Sequence, residues 1–144
     1  MPARNAARAG LADRVRFEVS DADTDLGEAA YDVAFFFEAL HDMAHPVGAL
    51  ASARRALRRG GRVVVMDERA EEQFAPGGSE IERLPAASSV LHCLPVGMSQ
   101  PGSAATGAMF RPDTMRRYAR EAGFTGVELA PIEHDLFRIY VLTA

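Results

Sequence analysis

Residues 31–68 constrain the fold more than any other part of this 144-residue chain. Two apolar runs, DVAFFF (32–37) and RVVVMD (62–67), lack the alternation of a half-solvated strand. They suit strands buried on both faces of a parallel sheet. Between them, PVGALASARRALRR (46–59) sets Val47, Leu50, Ala53 and Leu57 on one helical face. Pro46 opens this segment, Gly60 stands just past its end, and Arg54, Arg55, Arg58 and Arg59 crowd its last turns. That is the polarity of a helix. Strand, helix, Gly60-Gly61 and strand make a βαβ unit, so an open α/β sheet is expected.

Other elements follow the same logic. VRFEV (15–19) reads as an earlier strand ending at Ser20-Asp21, and ARNAARAGL before it as the back end of a helix. RPDTMRRYAREAGF (111–124) spaces Met115, Tyr118, Ala119 and Ala122 as one helical face, with Pro112 in the first turn and Gly123 as the stop. VELAP (127–131) and DLFRIYVLT (135–143) read as two closing strands. Residues 69–110, rich in Gly, Pro, Ser and Ala with a helix expected near 79–94, form a segment of the length used for substrate lids or binding insertions. The strand and Gly-rich turn that normally open such a sheet are missing, and the chain reads as though it begins inside a fold.

Composition narrows the partners. The chain is 48% hydrophobic and 25% charged, enough apolar residues for a core. All 16 basic residues are arginines, dispersed along the sequence, which argues against a nucleic-acid surface. Cys93 is the single cysteine, excluding an internal disulfide and fitting a reducing cytosol. The polar start MPARNAARAG carries no apolar signal core, and no run approaches the roughly eighteen residues of a membrane span. A cytoplasmic protein is expected.

Ligands of open parallel sheets sit beyond the carboxyl ends of the strands. Asp21-Ala22, Phe37 to Asp42, and Asp67-Glu68 fall there. A carboxylate at Asp21 beside a free backbone N–H can read an adenine edge, and Asp is equally a common turn cap. His41 and His45 have the i, i+4 spacing of a zinc helix; Pro46 disfavours helical geometry at His45 and no third ligand is evident, so no metal is expected. His41 could act as a general base oriented by Asp42, or cap the strand. Cys93 reads as a packed, unreactive thiol.

Taken together, DRVRFEVSDADTDLGEAAYDVAFFFEALHDMAHPVGALASARRALRRGGRVVVMDE and FRPDTMRRYAREAGFTGVEL resemble the later part of a class I S-adenosylmethionine-dependent methyltransferase. SVLHCLPVGM and SAATG are similar to a bacterial branch carrying a winged-helix segment ahead of that domain. The resemblance covers almost the whole chain. It implies a partial Rossmann-like doubly wound sheet that lacks its first two strands and ends in a reversed strand, within the order 3-2-1-4-5-7-6. It also implies S-adenosylmethionine as cofactor, with Asp21, Ala22 and Phe37 on the cofactor side. His41 falls on the histidine that removes the acceptor's hydroxyl proton, and Asp67 on an acid that holds it. A second supporting acid is replaced by Met109. The glycine-rich first motif and the ribose-binding acid are absent.

The expected function is therefore methyl transfer to a small-molecule acceptor, with O-methylation of a hydroxyl favoured, in the context of a full-length protein. The alternative is a catalytically silent remnant acting by self-association, as a homo-oligomer, or by partner binding. A dehydrogenase of similar sheet class would need a glycine fingerprint and a Tyr/Lys pair, and the chain has no lysine.

Overall fold

The computed structural model describes residues 2–24 and 26–144; Met1 and Asp25 lie outside the described residues. Among the described residues, β1 (Tyr31–Phe37), β2 (Leu57–Glu68), β3 (Gly126–Leu129) and β4 (Phe137–Thr143) form one sheet ordered β1-β2-β4-β3. β1 and β2 are parallel, whereas β4 runs antiparallel to both of its neighbours. This mixed α/β sheet matches the 4-5-7-6 half of the expected order, reversed strand included.

The helices are α1 (Pro2–Arg8), α2 (Pro46–Ala56), α3 (Glu80–Ser88), α4 (Leu94–Gly97) and α5 (Pro112–Glu121), with a π-helical turn at Ser89–Cys93 joining α3 to α4. No helix among the described residues is long and apolar enough to cross a membrane. α2 starts with Pro46 at its first turn and buries Ala49, Leu50, Ala53 and Ala56. It packs on β2 and on α5, whose Met115, Tyr118 and Ala119 face the same core. Val63, Val65, Phe110, Tyr140 and Leu142 complete that core, each 0–1% exposed. A side chain taken out of water this completely contributes about 1.5–3 kcal/mol.

Two sequence expectations shift. The helix from Pro46 ends at Ala56 instead of Arg59, and the chain enters β2 at Leu57, opposite Tyr31. Gly60 there adopts φ +82°, and a Cβ on Gly61 would meet the carbonyl oxygens of Arg58 and Asp32 at 2.9 Å. The Gly-Gly pair thus lets β2 begin early through a bulge, rather than merely ending the helix. The segment 15–19 forms no strand. Val15, Phe17 and Val19 are exposed, because a strand needs a hydrogen-bonding neighbour and the described residues supply none.

The two sheet faces differ as well. Ala34 and Phe36 pack with Val63 and Val65 against α2 and α5. On the opposite face Val33, Phe35 and Phe37 are exposed, and the Phe35 and Phe37 rings lie 5.2 Å apart.

Candidate active site

The site forms where β1 and β2 end. Glu38 leaves β1 at φ 50°, its N–H donating to Met66 O at 3.0 Å. The 3-10 turn Leu40–Asp42 follows, and Leu40, fully buried, pins it to the core. This anchor turns His41 inward, leaving it 3% exposed. On β2, the two-residue alternation that buries Val63 and Val65 also carries Asp67 to the covered face, at 0% exposure. α4 packs against the turn, with Gly97 close to the His41 and Asp42 carbonyls.

His41 is ringed by acids. Its Nδ1–H donates to Asp67 Oδ1 at 2.6 Å and lies 3.1 Å from Glu68 Oε2, while Nε2 lies 3.2 Å from Asp42 Oδ1. Burial opposes charge on the imidazole, but the hydrogen bond to Asp67 and the carboxylates of Asp67, Glu68 and Asp42 win, raising its pKa to about 9. Glu68 is pushed up to about 8 by burial and then by Asp67, and Glu38 is raised by burial and Asp67. Near neutral pH His41 is therefore imidazolium and Glu68 holds its proton. Asp67 Oδ2, Asp42 Oδ1 and Glu68 Oε2 are buried without hydrogen-bond partners.

Two cavities flank this cluster. One of about 280 Å³ is lined by Asp21, Ala22, Asp42, Met43, His45 and Ser99, among others. The second, of about 200 Å³, is apolar and lies between Glu38, Glu68, Leu136, Phe137 and the α3 residues Ile81, Leu84 and Pro85. Asp42 borders the first cavity and Glu68 the second, so His41 stands between them.

The structure thus brings Asp21 and Ala22 to one cavity and joins His41 to Asp67. It does not bring Phe37 to either cavity: that ring is 55% exposed on the open sheet face. The acid that orients His41 through Nδ1 is Asp67, whereas Asp42 faces the other ring nitrogen. His41 and His45 share no helix, since His41 lies in the 3-10 turn and His45 is exposed just ahead of α2. Glu38 and Glu68 escaped the sequence reading as individual site residues. Their signal was position, since each is the acid that closes an apolar strand.

A methyltransferase-domain family profile matches residues 2–128, and the chain belongs to that family. Solved structures share the fold. S-adenosylmethionine-dependent methyltransferase SibL, in its apo form, is 24% identical with a TM-score of 0.73, covering 97% of this chain and 38% of its own. PigF with SAH is 20% identical with a TM-score of 0.70, covering 98% of this chain and 39% of its own. NcsB1, an O-methyltransferase from neocarzinostatin biosynthesis in complex with S-adenosyl-L-homocysteine and 1,4-dihydroxy-2-naphthoic acid, is 19% identical with a TM-score of 0.68, covering 98% of this chain and 37% of its own. The chain thus spans about two fifths of the length of these structures. A search of the curated proteins found no match.

Proposed function

We propose that the chain is part of an enzyme that transfers the methyl group of S-adenosylmethionine to a hydroxyl of a small apolar acceptor. The observation that carries this reading is the His41–Asp67 pair standing between a cavity edged by Asp21-Ala22 and an apolar cavity under α3. The cofactor, when bound, supplies an electrophilic methyl group on a cationic sulfur.

On this reading Asp21 accepts a hydrogen bond from the adenine amino group and the Ala22 amide donates to a ring nitrogen. Asp67 holds the Nδ1–H of His41, which leaves Nε2 to take the acceptor's hydroxyl proton. At rest the surrounding carboxylates keep the imidazole protonated. A cation in the Asp42-bordered cavity offsets their charge and lowers the imidazole pKa, so His41 becomes a base only in a loaded site. Residues 69–110 act as an acceptor lid, with Ile81, Leu84 and Pro85 of α3 as its apolar underside. The partners are small molecules rather than nucleic acid, and a sole, free Cys93 fits a cytoplasmic setting.

A calorimetric titration of the chain with S-adenosylhomocysteine tests this directly, with micromolar binding expected. A folded sample that binds nothing would sink the reading for this chain and favour a silent remnant. In the active protein, His41→Ala is expected to lower transfer about 100-fold or more with cofactor affinity unchanged. Undiminished turnover would return His41 to a structural cap.

A further inference from the structure

We propose that Glu82 and Arg111 are positioning residues that latch α3 over the apolar cavity and so shape the acceptor's place, a role that rests on the reading of that cavity as the acceptor site. Among the described residues of α3 only Glu82 is buried. A helix ordinarily holds to its protein by an apolar stripe. Here Ile81, Leu84 and Pro85 border the cavity of about 200 Å³ instead, and Ile81 and Leu84 are exposed. The other side of the helix, through Glu82, Arg83 and Ala86, borders a further cavity of about 300 Å³ that reaches Phe74 and Arg111. With space on both sides, α3 is a partition whose position packing alone does not fix.

Polar bonds fix it. The N-cap of α3 is Ser79, whose Oγ accepts from the Glu82 N–H at 3.3 Å. In a capping box the acid at this position turns back to the cap's own amide. Glu82 Oε1 instead accepts from the Glu71 N–H at 2.8 Å and from Arg111 Nη1 at 3.0 Å. The same nitrogen donates to the Glu71 carbonyl at 2.6 Å. One guanidinium thus joins the chain after β2, the first turn of α3 and the residue that caps α5. The pair is sheltered, with the Arg111 and Glu82 side chains 16% and 7% exposed, and removing one partner leaves the other charge buried and uncompensated.

The rest of the segment suits a swinging helix. Gly77 at φ +88° and Gly78 at φ +41° lie between Glu71 and α3, in a backbone region open to glycine at little cost. Beyond the far end of α3, Ser89 Oγ accepts from the Ala108 N–H at 3.0 Å. Ser89 is the pivot, Gly77-Gly78 the hinge and Glu82–Arg111 the latch. Releasing the latch frees the Glu80 end of α3 to leave the cavity while the sheet stays folded.

The test is hydrogen exchange of the full chain, read by mass spectrometry with no methyl donor present. Arg111→Ala should speed exchange of the α3 amides about tenfold or more and leave the β2 amides of Val63 and Val65 within about twofold. Arg111→Lys keeps a cation that reaches Glu82 through one nitrogen, and should hold α3 within about threefold of wild type. The neutral phenol 2-naphthol, as acceptor probe, should slow α3 exchange in the wild type and in Arg111→Lys but not in Arg111→Ala. Unchanged α3 exchange in Arg111→Ala, or equal acceleration of β2, overturns the latch. Equal protection by 2-naphthol in wild type and Arg111→Ala, or none in the wild type, overturns its part in shaping the acceptor site. A latch that responds as expected in a chain that binds no S-adenosylhomocysteine stands, and only the methyl-transfer reading falls.

Discussion

β1 and β2 are both apolar, lie side by side and run parallel, yet they end in opposite environments. Val63 and Val65 of β2 are sealed at 0% exposure, while Phe35 and Phe37 of β1 are more than half exposed. β2 has strands on both sides and two helices over one face. Among the described residues, β1 has β2 on one side and an unpaired edge on the other. An apolar strand therefore declares what must be covered; its neighbours decide whether it is.

The sharpest way to break this contrast is to truncate one aromatic from each environment. Phe110→Ala, removing a fully buried ring that lies 6.0 Å from Tyr118, should cost about 3–5 kcal/mol in urea denaturation. Phe35→Ala should stay within about 0.5 kcal/mol. Comparable losses would mean that the open face is packed in solution.

The pH dependence probes the sealed end of the same sheet. His41 has a folded pKa raised to about 9, so its stabilisation is full below its ordinary value of about 6.5 and is lost as pH climbs through 9. Glu68, raised to about 8, holds its proton in the folded chain after the unfolded chain has released it, which gives the same sign. Stability should therefore fall from pH 6 to pH 9, as read by thermal unfolding in matched ionic strength. His41→Gln should flatten the curve; an unchanged slope would assign it to other groups.

A smaller effect is expected on association. Phe35→Glu should reduce binding of a hydrophobic dye and the concentration dependence of light scattering, since a bare edge beside an apolar face invites self-pairing. The smallest belongs to Arg58, paired with Asp32 at 2.9 Å on the surface. Arg58→Ala should shift stability by about 0–1 kcal/mol, vanishing in high salt. A larger loss would show that this pair pins the bulge where β2 begins.

The βαβ unit was legible because Pro46, the apolar face of α2 and the two apolar runs all agree. The start of β2 was not. Leu57 to Arg59 continue the helical pattern, and only the strand partner Tyr31 pulls them straight. VRFEV read as a strand by composition, but pairing is non-local and no local pattern supplies a partner. At the site, His41 and Asp67 were visible at strand ends, and the resemblance linked them. What stayed hidden was which nitrogen each acid meets. Asp42, adjacent in sequence, faces Nε2, while Asp67, distant in sequence, holds Nδ1, because a 3-10 turn rotates the ring between them.

The position of β4 has a consequence for how the molecule is made. β4, the last strand among the described residues, is an inner strand of the sheet, hydrogen-bonded to β2 on one side and β3 on the other. β2 therefore leaves the ribosome with an open edge and waits while the roughly seventy residues from Glu68 to Phe137 follow, several seconds at about 5–20 residues per second. Until β4 arrives, β3 lacks the neighbour it pairs with, and β2 keeps an edge that any passing strand could occupy.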